Sequence, residues 1–196
     1  MKKFYDLKFG LNKSDFLYCY GPHSKTNKEF IQEADCVRNS FNPDIDYYDY
    51  ISVITKEKYG IGTKLTCECD FEKFGAPLIV ISNDITTDEE EITRYGLHFE
   101  VVAYVRGFNV WHIVPDPSNV ERPIAPTLVA EGRFPIEEGS RVKMSVEVVE
   151  NALIIDINGD KSYVEHHDIP KNFHIGITAC EGVNRFYNIT IEKKQS

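Results

Sequence analysis

The sequence predicts an all-β fold, a two-sheet antiparallel β-sandwich or jelly roll, and three observations carry that expectation. Most ordered-looking segments repeat with period two, β-branched and aromatic residues are frequent, and Gly, Pro, Asn and Asp punctuate the chain at turn-like intervals. Such strands bury their apolar faces by packing one sheet on another.

Each segment follows from its own pattern. The first 58 residues carry no motif that can be placed, and within them Asn27 to Asn39 is the only stretch suited to a short helix. Leu65, Cys67, Cys69 and Phe71 alternate with Thr66, Glu68, Asp70 and Glu72, which reads as a strand with one apolar and one acidic face. A turn at Gly75 leads into the apolar run Leu78 to Ile81. Leu97, Phe99, Val101, Ala103 and Val105 then alternate with His98, Glu100, Val102, Tyr104 and Arg106, so a chemically rich face lies opposite an apolar one. Val142, Met144, Val146 and Val148 form another strand, which turns at Glu150-Asn151 into Leu153, Ile155 and Ile157. Asn158-Gly159 marks a tight hairpin into Ser162 to Val164. Phe173 to Ala179 and Arg185 to Ile191 complete a meander, with Arg185, Tyr187, Ile189 and Ile191 on one parity and Phe186, Asn188, Thr190 and Glu192 on the other.

Composition bounds the function classes. With 196 residues the expectation is one unit spanning 1–196, large enough to bury a core without a structural metal or disulfide. Asp and Glu number 31 against 22 Lys and Arg, a net charge of −9, and the cations are scattered. No basic stripe is present to neutralise phosphates, which argues against a nucleic-acid partner. The longest apolar run, near Ala76 to Ile81, is far short of the ~18 residues of a membrane span. Asp6, Lys8 and Asn12 interrupt what would be the apolar region of an export signal after Lys2 and Lys3. Five cysteines, Cys19, Cys36, Cys67, Cys69 and Cys180, are an odd number, and Cys67-x-Cys69 is one residue short of a redox or zinc CxxC. Reduced thiols in a cytoplasm are the expectation, in which case the sequons at Asn12 and Asn188 have no role.

From about Tyr59 onward the runs YGIGTKLTCECDFEKFGAPLIV, YGLHFEVVAYVRGFNVWHI, SVEVVENALIIDINGD and FHIGITACEGVNRFYNITIE resemble the concanavalin A-like lectin and glucanase superfamily. The strongest likeness is the C-terminal order: a strand, a hairpin strand ending in a D-x-N-G turn, a segment around Gly176, and a last strand reading R-F-Y-N-I-T-I. The resemblance implies a jelly roll whose concave sheet lays a saccharide across aromatic and polar side chains. Sugars suit such a face, because their apolar sides stack on rings and their hydroxyls need paired donors and acceptors. Tyr104 and Trp111, the only tryptophan, would supply stacking; His98, Glu100, Arg106 and Asn109 would supply hydrogen bonds. The alternative places Trp111 in the core and leaves His98 and Glu100 on a solvated strand face.

Glu68-Cys69-Asp70-Phe71-Glu72 is similar to the E-x-D-x-E strand of family-16 glycoside hydrolases, in which the first Glu is the nucleophile, the last the acid/base, and the Asp supports both. Carried over, the roles fall on Glu68, Asp70 and Glu72. At ~3.3 Å per residue their outer Cα atoms are about 13 Å apart, so both side chains would have to lean inward to reach a retaining pair's ~5 to 5.5 Å. Cys69 and Lys73 depart from that family's pattern, and by strand order the catalytic strand would instead be the one holding His98 and Glu100. That strand offers one carboxylate where the mechanism needs two, and the other reading of Glu68 to Glu72 is a solvated acidic face.

The turn Ala179-Cys180-Glu181-Gly182-Val183-Asn184-Arg185 is a further candidate, since Arg185 can grip a carboxylate or vicinal hydroxyls and Glu181 can stand at the rim of a groove. Its other reading is a plain turn in which Arg185 pairs with a neighbouring carboxylate. For metals, the resemblance implies a structural calcium, for which Asp44, Asp46 and Asp49, or Asp84 with Asp88 to Glu91, are oxygen-rich. The six histidines predict no zinc site: His166 and His167 are adjacent and would face opposite sides of a strand, while His98 and His112 converge only through tertiary structure. The expected function is carbohydrate binding, with catalysis by Glu68 and Glu72 or by Glu100 and Glu181 as one alternative. A curved sheet that packs on a partner protein is the other.

Overall fold

The computed structural model describes residues 1–19, 29–40, 50–87, 93–119 and 123–193. In chain order the strands are β1 (Lys2–Asp6), β2 (Phe16–Cys19), β3 (Ile31–Gln32), β4 (Val37–Arg38), β5 (Tyr50–Thr55), β6 (Tyr59–Gly60), β7 (Thr63–Glu72), β8 (Ala76–Ser82) and β9 (Ile85–Thr87). They continue with β10 (Thr93–Tyr95), β11 (His98–Tyr104), β12 (Gly107–Pro115), β13 (Ile124–Arg133), β14 (Val142–Val149), β15 (Ala152–Ile157), β16 (Asp160–Glu165), β17 (Asn172–Cys180) and β18 (Val183–Lys193). A single 3-10 turn, Leu7–Phe9, is the only helical element among the described residues.

Two antiparallel sheets form the body. Sheet I runs β16-β15-β14-β7-β18-β4-β3 with β1 also on β18, and sheet II runs β13-β12-β11-β8-β17-β5-β2 with β6 also on β17. Their facing sides interdigitate as the alternation requires. Leu65, Cys67, Cys69 and Phe71 of β7, Met144 and Val146 of β14, and Ile155 of β15 meet Ile79 and Ile81 of β8, Phe99 and Val101 of β11, and Ile175 and Ile177 of β17. Removing one such ring, as in Phe99→Ala, costs about 3–5 kcal/mol, since lost transfer energy and a cavity add.

The turns form where the residues allow them. Asn158 (φ 53°) and Gly159 (φ 97°) close the β15–β16 hairpin, and Asp156 Oδ1 accepts the Gly159 N–H at 2.9 Å. Asn151 takes φ 56° at the β14–β15 turn.

Three expectations change. The helix expected over Asn27 to Asn39 is absent over its described part, because Ile31 and Gln32 pair with Arg38 and Val37, and β4 in turn pairs with Arg185 and Phe186 of β18. The unplaced N-terminal third supplies strands to both sheets. The parity of the last strand also inverts midway: Tyr187 is an extra residue between two registers, so Phe186, Ile189 and Ile191 all point inward while Arg185 and Tyr187 point outward. A strict period of two would have buried Arg185 or exposed Phe186.

Sheet II carries a second apolar layer on its outer side. Cys19, Ile54, Leu78, Val80, Tyr95 and Val102 are buried there, with Tyr50 and Trp111 packed against them. The paired strands β9 and β10 lie over part of this face and seat the Tyr95 hydroxyl on Ser52 Oγ, which also bonds Thr178 Oγ1. Among the described residues, nothing covers the rest of the face.

Candidate functional site

A groove of about 470 Å³ lies on that open part. Pairing sets its floor in two rows across the strands. One row is Glu100 and Trp111, on β11 and β12; the next is Leu78, Val102 and Asn109, on β8, β11 and β12. Directly paired residues on one face hold their Cβ atoms about 5 Å apart, so Glu100 and Trp111 are immediate neighbours. A register shift in β12–β13 falls between Val110 and Trp111, beside the floor. Tyr50, Tyr104, Ile113, Ile124, Pro126 and Cys180 complete its lining.

Two turns build the rim. Lys73 and Phe74 both take positive φ (54° and 63°), a strained backbone for these residues, and Phe74 stands 81% exposed at the groove edge. The second turn, Glu181-Gly182, rests directly against it. A Cβ on Gly182 would lie 2.3 Å from Gly75 N and 2.5 Å from Lys73 O, so only glycine permits this approach.

The polar groups lining the groove include Tyr50, Glu100, Asn109 and Glu181. Glu100 is 3% exposed, and His98 Nε2 lies 3.5 Å from its Oε1. His98 Nδ1 is 2.8 Å from the Gly96 carbonyl and so carries the ring proton there, leaving Nε2 turned to the carboxylate without a hydrogen bond. Burial, with the nearby Glu100 charge second, raises the Tyr50 hydroxyl well above its ordinary range, so Tyr50 remains a donor. Burial also raises the Glu181 carboxyl above its ordinary value. Asn109 Oδ1 is buried with no hydrogen-bond partner among the described residues.

The residues singled out from sequence are distributed unevenly. Glu100, Tyr104, Asn109, Trp111 and Glu181 line the groove together. His98 stands behind Glu100, and Arg106 lies exposed in the β11–β12 turn, outside the lining. Glu68, Asp70, Glu72 and Arg185 are on the outer face of sheet I, on the far side of the sandwich, because β7 and β18 both belong to that sheet. There Arg185 Nη1 binds Asp70 at 3.0 Å and Glu72 at 3.2 Å, with Glu33 3.5 Å from its Nε. Tyr187 donates to Asp70, and Arg141 lies 3.7 Å from Glu68. Of the calcium candidates, Asp44, Asp46, Asp49 and Asp88 to Glu91 lie outside the described residues, while Asp84 pairs with Lys58 at 3.3 Å. Reasoning from sequence missed Tyr50 and Phe74. Phe74 was accessible to it, since a large aromatic residue beside a turn glycine has no strand face to bury it.

No protein-family model matches the sequence, and no curated protein matches it either. Solved structures do. A carbohydrate-binding module, CBM66, from Bacillus subtilis superposes with TM-score 0.62 at 10% identity, over 85% of this chain and 92% of that chain. β-Agarase A from Zobellia galactanivorans gives 0.65 at 11% identity, over 93% and 83%. A β-glucanase from Bacillus licheniformis gives 0.62 at 10% identity, over 99% and 98%. At such identities the likeness is one of fold, and the fold of this chain is the concanavalin A-like jelly roll.

Proposed function

We propose that the chain binds a carbohydrate in the groove on sheet II. The observation that carries this reading is the juxtaposition of Trp111 with enclosed hydrogen-bonding groups, Glu100 and the unpartnered Asn109 Oδ1, on one floor. A sugar ring laid on the indole would bury its C–H face there and turn hydroxyl donors toward both acceptors. An unsatisfied buried acceptor costs about 1–3 kcal/mol, which a bound hydroxyl would recover. Phe74 and Tyr104 would extend the stacking surface at the edges. The names of the similar structures, a carbohydrate-binding module, an agarase and a glucanase, support the same ligand class.

The test is a thermal-shift screen against mono- and oligosaccharides, followed by calorimetry of any hit, because a ligand selective for the native state raises the melting temperature by mass action. A saturable shift that Trp111→Ala abolishes is expected. No shift with any sugar, in a protein that melts cooperatively, would reject the reading.

A second reading rests on Glu100 and Glu181 lining one groove with Glu181 raised by burial, since hydrolysis of a glycosidic bond uses one ionised and one protonated carboxyl. In that case Glu100→Gln and Glu181→Gln would each abolish turnover of a bound oligosaccharide while preserving its binding.

A further inference from the structure

Away from the groove, the flank of the sandwich holds a cluster that the strand pattern does not reveal. His112 of β12 points to the inner side of sheet II, opposite in parity to Trp111, and meets His166 and Asp168 in the loop that follows β16 of sheet I. One ligand atom from each of the three lies within 4.8 Å of the others. His166 and His167 were expected on opposite sides of a strand. Because they lie beyond the end of β16, their rings instead stack at 4.8 Å, and His166 packs on His112 at 4.5 Å.

His112 is the observation that points to a ligand. Its side chain is 10% exposed, and its Nε2 is buried without a hydrogen bond among the described residues, 3.5 Å from Asp168 Oδ2. A buried ring nitrogen aimed at a carboxylate and a second imidazole has the donor set of a borderline divalent cation. We propose that His112, His166 and Asp168 bind a zinc-class divalent transition ion that ties β12 of sheet II to the β16–β17 loop of sheet I.

The geometry is near what such an ion requires. Ligand atoms about 2.0–2.1 Å from a tetrahedral centre are about 3.3 Å apart, which the 3.5 Å between His112 and Asp168 almost meets. The widest separation, 4.8 Å, would have to close by about 1.5 Å through a turn of the His166 ring, which stands in the loop after β16. Its present bond is a weak restraint: Nδ1 accepts the Asp168 backbone N–H at 3.2 Å. Coordination through Nδ1 would redirect that lone pair, and coordination through Nε2 would put the ring proton on Nδ1, so either way the N–H passes to water. Asp168 is 38% exposed, and a shallow pocket lined by Asn151, Glu165, His166 and His167 opens beside the cluster, which leaves room for a fourth ligand from solvent. Calcium would not substitute, because it takes six or more oxygen ligands.

The experiment is zinc titration of the full chain by calorimetry, with cobalt(II) titration read by visible absorption as a signature of low-coordinate nitrogen and oxygen ligation. One ion per chain at micromolar or tighter affinity is expected, accompanied by a rise in melting temperature. His166→Ala and Asp168→Asn, both at partly exposed loop positions, should each weaken zinc at least about tenfold. His167→Ala should stay within about threefold of the wild type. No saturable zinc binding, binding that survives both substitutions, or binding lost with His167→Ala alone would overturn the proposal, the last marking an adventitious surface histidine.

Discussion

The outer faces of the two sheets show the same sequence signal with opposite outcomes. On β7 and on β11, ionisable residues occupy alternate positions of a strand whose other face is core. On sheet I the carboxylates meet cations: Arg185 reaches Asp70, Glu72 and Glu33, and Arg141 reaches Glu68. On sheet II, Glu100 has a histidine and a tryptophan for neighbours, and the acceptor of Asn109 has no partner. An alternating polar face therefore says little about function by itself. What separates the two is whether each charge is already answered by the chain, and that depends on which strand lies alongside.

The sharpest way to break the comparison is to remove the cation from the saturated face. Burial alone would make the Arg185 guanidinium easier to deprotonate, but Asp70 and Glu72 outweigh it and fix the positive charge. Arg185→Met should destabilise the protein by about 3 kcal/mol in urea unfolding, because Asp70, only 6% exposed, loses its charge partner. Sugar affinity should be unaffected. A loss of binding comparable to that of a groove variant would mean that the two faces are not independent.

Next in size is the contact between the rim turns. Gly182→Ala should cost about 2 kcal/mol, since the new methyl meets backbone atoms of Lys73 and Gly75 that cannot rotate away. Unlike Arg185→Met, it should also weaken any ligand that spans the rim, because Phe74 and Glu181 are held by those turns. Equal stability of Gly182→Ala and wild type in urea would disprove the close approach.

Trp111→Ala should reverse the pattern, with at least about tenfold lower sugar affinity measured by calorimetry and a smaller change in stability than either variant above. If affinity holds while stability collapses, the indole is a core residue and the groove floor must be sought elsewhere.

Much of the fold was legible because burial enforces it residue by residue. The alternation in β7, β11 and β14 and the Asn158-Gly159 turn are local patterns with one satisfactory solution. Where two core residues demanded opposite parities, as Phe186 and Ile189 do, the chain inserted Tyr187, and no period-two reading shows that. The short strands β3 and β4 were misread as helix because two-residue strands have no period, and it is β18 that makes them strands. The groove was half legible: Glu100, Asn109 and Trp111 share a hairpin, whereas Tyr50 on β5 and Glu181 in the β17–β18 turn arrive from far away in sequence. The histidine cluster was illegible for the same reason, since 54 positions separate His112 from His166 and only sheet packing brings them together.

The smallest expected effect concerns Glu181. Burial raises its carboxyl above the ordinary value, so the native state holds this proton more tightly than the unfolded chain does. Between the unfolded and folded values the native state binds more protons, and stability falls as pH rises through that window. Glu181→Gln removes the titration while keeping the shape. The melting temperatures of variant and wild type should therefore lie closest at pH 4, and the variant should gain on the wild type as pH approaches 7. The Asp70 to Arg185 face should show no such gain when Glu72→Gln is made, since there the ionised form has a partner and its loss costs stability at neutral pH. A Glu181→Gln curve parallel to wild type at every pH would mean that the carboxyl at the groove rim is as well solvated as one on the surface, and would remove the support it gives to an acid role.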